Sequence, residues 1–208
     1  MAKITEVPLV KEIIERIKAI ITNPTETWGT IKSEKIEIKE LLINYAAPLA
    51  LIPALATLIG LSIVGIRVPT GFIIRIPFLE ALIAGVVGYF LNLAILFAGA
   101  WVVGYLAAYF SSKSDFDLSF KLIVYSMTPV WVVGVTALLP GIGILQILGL
   151  YGLYLLYKGL PILLETPDDK VKMYFISIVI SSMILTFFFS FIIGGAVYGP
   201  IMMRMMSF

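Results

Sequence analysis

Apolar residues run almost unbroken through five stretches of this chain, Leu41–Ile66, Leu79–Phe110, Leu118–Leu139, Ile142–Leu164 and Val171–Tyr198, and the short segments between them hold nearly all the internal charge. A hydrocarbon core about 30 Å thick takes about 20 apolar helical residues per crossing, a length each stretch meets. The runs are continuous rather than alternating, which excludes the strands of a membrane β-barrel. Ahead of them, Val10, Ile13, Ile14, Ile17, Ile20 and Ile21 recur at helical spacing, with Lys11, Glu12, Glu15, Arg16 and Lys18 on the other face. The pattern predicts an all-α integral membrane bundle of five transmembrane helices with an N-terminal amphipathic interfacial helix. Residues 1–40 form the cytoplasmic N-terminal region, 41–199 the membrane domain and 200–208 a short outside tail. The amphipathic helix has two resting places, the membrane surface or the loops of its own bundle, because either accepts one apolar face.

Local signals refine this outline. Asn23-Pro24-Thr25-Glu26 reads as a helix start, with Asn as cap, Pro in the first turn and Glu completing a capping box. The helix that follows carries Trp28, whose ring suits the headgroup layer with its N–H wet. The second run is long enough to tilt or protrude, and Ala81, Ala84, Gly85, Gly88, Ala100, Gly104 and Ala108 give it the small-residue spacing that lets backbones approach, so it is predicted to be the central helix. Gly195-x-x-x-Gly199 can serve the same purpose within the bundle or against a second copy in a homo-oligomer. Between the first two runs, Pro69-Thr70-Gly71 predicts a turn in an outer loop, Arg67 to Phe78, greasy enough to rest in the interface. No internal repeat is evident.

Composition and charge narrow the setting. With 60% hydrophobic and 13% charged residues and a mean hydropathy of +1.04, a soluble globule would have no polar skin. Residues 1–22 carry charge throughout, so no secretory signal is expected. Of the 15 Lys and Arg, all but Arg67, Arg75 and Arg204 fall on one side of five alternating crossings, Lys113 and Lys121 counting with the inner loop. Basic segments stay inside, which predicts a cytoplasmic N-terminus and an outside C-terminus, in the cell membrane if the source is prokaryotic. Nothing suggests nucleic acid as a partner; the lipid bilayer is the first one.

Three constellations could carry chemistry. In Tyr125-Ser126-Met127-Thr128-Pro129 the imide Pro129 cannot bond the Tyr125 carbonyl, so a kink is predicted, either satisfied locally or lining a polar path. Tyr151, Tyr154 and Lys158 share one helical stripe, loosened at its end by Gly159 and Pro161, and read as an interfacial belt with a basic anchor or as a docking surface. That surface would extend into Glu165-Thr166-Pro167-Asp168-Asp169-Lys170, where Pro167 breaks one helix and Asp168 and Asp169 favour the start of the next. Asp115-Phe116-Asp117 has the form of a metal-diphosphate motif, but Asp117 before Leu118 is more simply a helix cap. The chain has no His and no Cys, so Ser–His catalysis, imidazole zinc sites, thiol chemistry and disulfides are excluded. No cofactor is implied, and the interior polar residues are uncharged, among them Asn44, Tyr45, Thr57, Asn92, Tyr105 and Gln146.

Asn23-Pro24-x-x-x-Trp28, Tyr45-x-x-Pro48, Tyr125-Ser126-x-Thr128-Pro129, Leu139-Pro140-x-x-Gly143, Tyr151-x-x-Tyr154-x-x-Tyr157-x-Gly159 and Pro167-x-x-Lys170, in that order, resemble the Yip1 domain family. The resemblance spans about residues 17 to 195 and implies five spans with a cytoplasmic N-terminus. Eukaryotic members are membrane proteins of the early secretory pathway, associated with Rab-type GTPases and membrane trafficking. Their long polar N-terminal region has no counterpart in residues 1–40, so this chain is similar to the short prokaryotic-type members. The family motif maps onto Tyr125, Thr128, Pro129, Tyr151, Tyr154, Gly159 and Pro167, to which Lys158 and Asp168 are added here as candidate interaction residues. The resemblance implies a non-enzymatic membrane adaptor or organiser, with a membrane or small-GTPase-like protein as partner. The alternative from the residues themselves is a channel, carrier or lipid-handling protein for a neutral or amphipathic solute.

Overall fold

A computed structural model describes residues 8–67 and 71–193 of the chain. The Gly195-x-x-x-Gly199 pair, the 200–208 tail and the Pro69-Thr70 part of the outer turn lie outside the described residues. α1 (Pro8–Thr22) and α2 (Pro24–Ser33) meet at Asn23. Pro24 opens α2 as expected, but the capping box is not made. Asn23 has ψ of 64° rather than an extended backbone and its side chain makes no capping bond; its carbonyl instead accepts the N–H (3.0 Å) and the hydroxyl (2.8 Å) of Thr27.

The first crossing, Ile38–Val64, consists of α3 (Ile38–Leu41), a π-helical turn (Leu42–Ala46), α4 (Ala47–Ile59) and a second π-helical turn (Gly60–Val64). The first π turn precedes Pro48, where a missing N–H already interrupts the regular ladder. Gly65, at φ 82°, ends the helix with a backbone that β-carbon-bearing residues rarely adopt. β1 (Ile66–Arg67) and β2 (Ile73–Ile74) then pair antiparallel, Ile66 opposite Ile74. The Arg75 guanidinium ties them to the preceding helix through the Ile63 carbonyl at 2.8 Å. We refer to this as the hairpin end.

α5 (Phe78–Ala107) continues through a 3-10 turn to Phe110 and stops at Ser111, which takes the left-handed conformation. α6 (Phe116–Ser126) begins at Asp115, whose carboxylate accepts the Leu118 N–H at 3.0 Å. The cap is therefore Asp115 and not Asp117, because only a residue three before Leu118 reaches that orphan donor. The chain breaks at Met127 and resumes as α7 (Thr128–Val133), the interruption predicted from Pro129. Two 3-10 segments follow, Gly134–Leu138 and Pro140–Leu150, then α8 (Tyr151–Leu163) and α9 (Asp168–Ile193).

Among the described residues, four helical stretches are long and apolar enough to cross a membrane: Ile38–Val64, Phe78–Phe110, Phe116–Leu138 and Asp168–Phe191. The fifth predicted run, Ile142–Leu164, differs in kind, since an 11-residue 3-10 segment feeds a 13-residue α-helix. Pro140 and the glycines at 141, 143 and 149 weaken α-helix formation over its first half. This run packs antiparallel to α6–α7, with Gly159 on Leu122, Gly152 on Ser126 and Gly149 on Val130. A β-carbon on Gly152 would collide with the Ser126 carbonyl, a backbone atom that cannot move aside.

The centre of the bundle is α6–α7, not the second run. In its most apolar stretch 56% of residues are buried, against 11% for α5. α5 contributes one stripe from its second half, Leu96, Ala100, Val103 and Ala107, all buried, with Gly99 facing the Ile123 side chain. Its first half turns Phe78, Leu79 and Phe90 outward, which suits lipid as neighbour. α1 lays Ile13, Ile17, Ile20 and Ile21 against the core while Val10 and Ile14 stay exposed. Its apolar face is thus largely spent on its own bundle. At the end opposite the hairpin, the Lys113 N–H donates to the Leu164 carbonyl (2.7 Å), Lys170 donates to Ser111 Oγ (2.7 Å) and Lys32 pairs with Glu165 (2.8 Å). We refer to this as the basic end.

Candidate functional site

At the basic end α1 and α2 sit on α6 and α8, and an aromatic and ionic cluster joins the layers. Trp28 is wholly buried, which overturns its expected place in the headgroup layer. Its ring fills the notch left by Gly159, where an added β-carbon would collide with Leu122 and come within 3.0 Å of the indole. Its N–H is buried without a partner. An indole has enough apolar area for a core to outbid the interface when a neighbour offers such a notch. Exposed aromatic residues include a row along α5, where Trp101 stacks on Tyr105 at 5.4 Å and the Tyr105 and Tyr109 hydroxyls meet at 3.2 Å.

Trp28 meets the edge of Tyr125 at 6.2 Å, and Tyr125 leans on Tyr45 at 4.9 Å. The Tyr45 hydroxyl bonds Thr128 Oγ1 at 2.9 Å, so the residue that opens α7 is tied to the first crossing. Arg16 of α1 lies over the Tyr125 ring at 5.8 Å and donates to Glu34 Oε1 at 2.5 Å. Partial burial works against the guanidinium's charge, but its hydrogen bond to Glu34 and the nearby Tyr125 outweigh this and raise its pKa above the ordinary value. Lys121, almost fully buried, donates to the Glu34 carbonyl at 2.6 Å. A cation in the first turns of an apolar helix needs a partner, and buried Lys121 is an exception to the uncharged interior expected from the sequence.

Of the candidate residues, Tyr125, Thr128, Pro129 and Gly159 are buried around this cluster, and Tyr151 joins it by donating to the Ile21 carbonyl of α1 at 2.9 Å. Tyr154 and Lys158 lie on the outer face of α8, Tyr154 at 5.3 Å from Tyr151 and Lys158 at 5.8 Å from the Tyr154 ring. The stripe predicted from spacing exists, but its first phenol reaches inward. Pro167 and Asp168 lie apart from the cluster, at the start of α9, where the Pro167 carbonyl accepts the Lys170 and Val171 N–H groups. Thr166 closes the preceding loop, donating to the Leu160 carbonyl (3.1 Å) and accepting from Ser112 (2.9 Å). From the sequence, Tyr45 is only an interior polar and motif residue, Arg16 and Lys121 are only surface or loop charges, and Glu34 has no role; the structure brings the four together. Eighteen residues separate Arg16 from Glu34 and 87 separate Glu34 from Lys121, distances over which spacing carries no signal.

Beside the cluster a cavity of about 390 Å³ opens between α1 and the first crossing, lined by Glu12, Glu15, Arg16, Glu40, Asn44 and Tyr45 among others. Among the described residues, no group of three or more His, Cys, Asp or Glu stands close enough to hold a metal ion. Several of the cluster's polar groups bond one another or neighbouring backbone carbonyls and hold the helices in place.

These features define a helical integral membrane protein, capped at one end by its own amphipathic helices. Neither a curated protein nor a solved structure matches the chain. It belongs to the Yip1 domain family, whose sequence profile matches residues 18–190.

Proposed function

We propose that this Yip1-domain protein is a non-enzymatic membrane adaptor or organiser that presents its basic end, on the cytoplasmic side, to a protein partner. The observation that carries the reading is the weld of α1 and α2 onto the bundle through Lys121–Glu34 and Tyr151–Ile21, with Arg16–Glu34 joining the two helices to each other. It leaves a preorganised platform whose outer face carries exposed Lys11, Glu12, Glu15 and Lys18; preorganisation lowers the ordering cost of association. The platform lies on the membrane surface at the exposed Val10 and Ile14. Transport is less favoured, because several interior polar groups bond between helices rather than along a continuous path: Trp131 to Asn92 (3.1 Å), Tyr45 to Thr128, and Tyr174 to the Val103 carbonyl (2.6 Å). The family is not known as an enzyme family.

The topology in this reading has five crossings, the N-terminus inside and the C-terminus outside. The run from Pro140 to Leu163 supports it: at about 2.0 Å per residue for the 3-10 part and about 1.5 Å for the α part it is long enough to span. It returns antiparallel to α6–α7, from the side of β1 to Leu164 beside Lys113. Photocrosslinking in native membranes tests the function. A protein partner should be captured from positions on the outer face of α1 and lost in Lys11→Glu/Lys18→Glu, with thermal stability unchanged. Capture of lipids and self-contacts alone would overturn the adaptor reading.

A further inference from the structure

A second feature lies in the membrane-embedded half of the molecule, away from the platform. A cleft of about 510 Å³ opens between the first crossing, the α6–α7 break, the 3-10 segment before α8, and α9. A second cavity of about 590 Å³ continues from it between α8 and α9, sharing Leu150, Leu153, Leu156 and Ser182 and reaching Thr186 and Ser190. Both fall in the size range of ligand sites, about 300–1,000 Å³, and both are mainly apolar with a few polar groups, as such sites are. Volume alone would describe any gap that lipid tails fill.

Ser126 adds chemistry. It lines the first cavity, is 6% exposed, and its hydroxyl is buried with no hydrogen-bond partner among the described residues. A hydroxyl on a helix ordinarily bonds back to a carbonyl one turn earlier, as Ser62, Ser119 and Ser177 do here. An unmet hydroxyl in hydrocarbon is costly, so an oxygen-bearing group beside it gains a bond that bulk acyl chains cannot offer. Thr57 and Gln146 line the same cavity. Together the three supply hydroxyl and amide donors suited to an acceptor-only carbonyl oxygen. None of the described lining residues of either cavity is ionisable; a phosphate head would find no counter-charge there.

We propose that this cleft is a binding site for an uncharged glycerolipid of the diacylglycerol type, with an ester carbonyl on Ser126 and an acyl chain in the channel between α8 and α9. The proposal is independent of the adaptor reading.

The test uses the full-length protein in phosphatidylcholine vesicles containing a diacylglycerol with a photoactivatable diazirine in its acyl chain. Labelling should concentrate on residues 150–156 and 179–190 and saturate. Unlabelled diacylglycerol should displace it at least tenfold more effectively than added phosphatidylcholine or hexadecane. Ser126→Ala, which removes an unpartnered buried hydroxyl and should not lower thermal stability, should cut the advantage of diacylglycerol over hexadecane at least fivefold. Ser182→Trp, which fills the junction of the two cavities, should abolish saturable labelling. Should Ser182→Trp fail to fold, the wild-type competition and Ser126→Ala decide the matter. Labelling that does not saturate, equal displacement by phosphatidylcholine or hexadecane, or a Ser126→Ala profile identical to wild type would each overturn the proposal.

Discussion

The two ends of the bundle solve the same problem with different chemistry. At the basic end, helices are oriented by directional contacts: the Arg16–Glu34 pair, the Lys121 and Tyr151 bonds to backbone carbonyls, and Trp28 seated on Gly159. At the hairpin end, Phe72, Phe78, Leu79, Ile144 and Phe187 are exposed, and beyond the two-residue β pair and the Arg75 bond the described residues leave much of their apolar surface to lipid. Lipid tails are as apolar as leucine, so greasy surface alone gives helices little reason to choose one arrangement over another. Polar bonds and close-fitting aromatic residues do, which is why orientation is concentrated where α1 and α2 dock.

The contrast can be broken most forcefully with tryptophan. Trp28→Ala should destabilise the protein in micelles by about 3–5 kcal/mol, the range for deleting a fully buried large aromatic residue. Trp101→Ala, at an exposed position on α5, should stay within about 0.5 kcal/mol. Thermal unfolding followed by circular dichroism measures both, and equal losses would erase the distinction between the ends.

A smaller effect sharpens the electrostatic half of the comparison. Arg16→Met or Glu34→Gln should each cost about 1.5–3 kcal/mol, the range for a hydrogen bond to a charged group, since both side chains are about three-quarters buried. The double variant should recover part of the loss, because it no longer strands a charge. Strict additivity in a denaturation cycle would mean that the pair is not coupled.

The smallest effect concerns pH. The hydrogen bond from Lys32 and the nearby charges of Lys32 and Lys113 hold the Glu165 carboxyl below its ordinary value of 4.5. A depressed carboxylate pKa adds stability that is fully present above the unfolded value and lost as pH falls through the folded one. Backbone hydrogen exchange in α2 should therefore quicken as pH drops below about 4.5, after correction for intrinsic rates. Glu165→Gln should remove that additional pH dependence, and identical profiles in the two proteins would detach α2 from the α8–α9 loop.

What was readable in the sequence follows the same division. Apolar runs are a property of composition over about 20 residues, so four crossings emerged near their predicted bounds, and Pro129 marked the Met127 interruption because a missing N–H acts locally. The run after Pro140 was legible as apolar but not as a 3-10 segment, since its glycines permit several helical forms. Asp115 and Asp117 both precede the same apolar run, and choosing between them takes the position of one backbone donor. Trp28 could not be assigned from its own character, because an indole satisfies an interface and a core alike; the deciding fact was Gly159, 131 positions away in the chain. Lys121 was legible as a cation near one end of its run, but its burial was not, its partner being a carbonyl that no sequence pattern marks.

The interruption at Met127 has a mechanical side. Below it, α6 is fastened to the N-terminal helices through Lys121 and the Tyr125 ring; above it, α7 and its 3-10 extension lean on α4, with Pro53 pressed against Gly134. Thr128, which opens α7, is held to the first crossing by the Tyr45 hydroxyl, and Trp131 one turn on is held to α5 through Asn92, so the two halves of the broken helix are anchored to different neighbours.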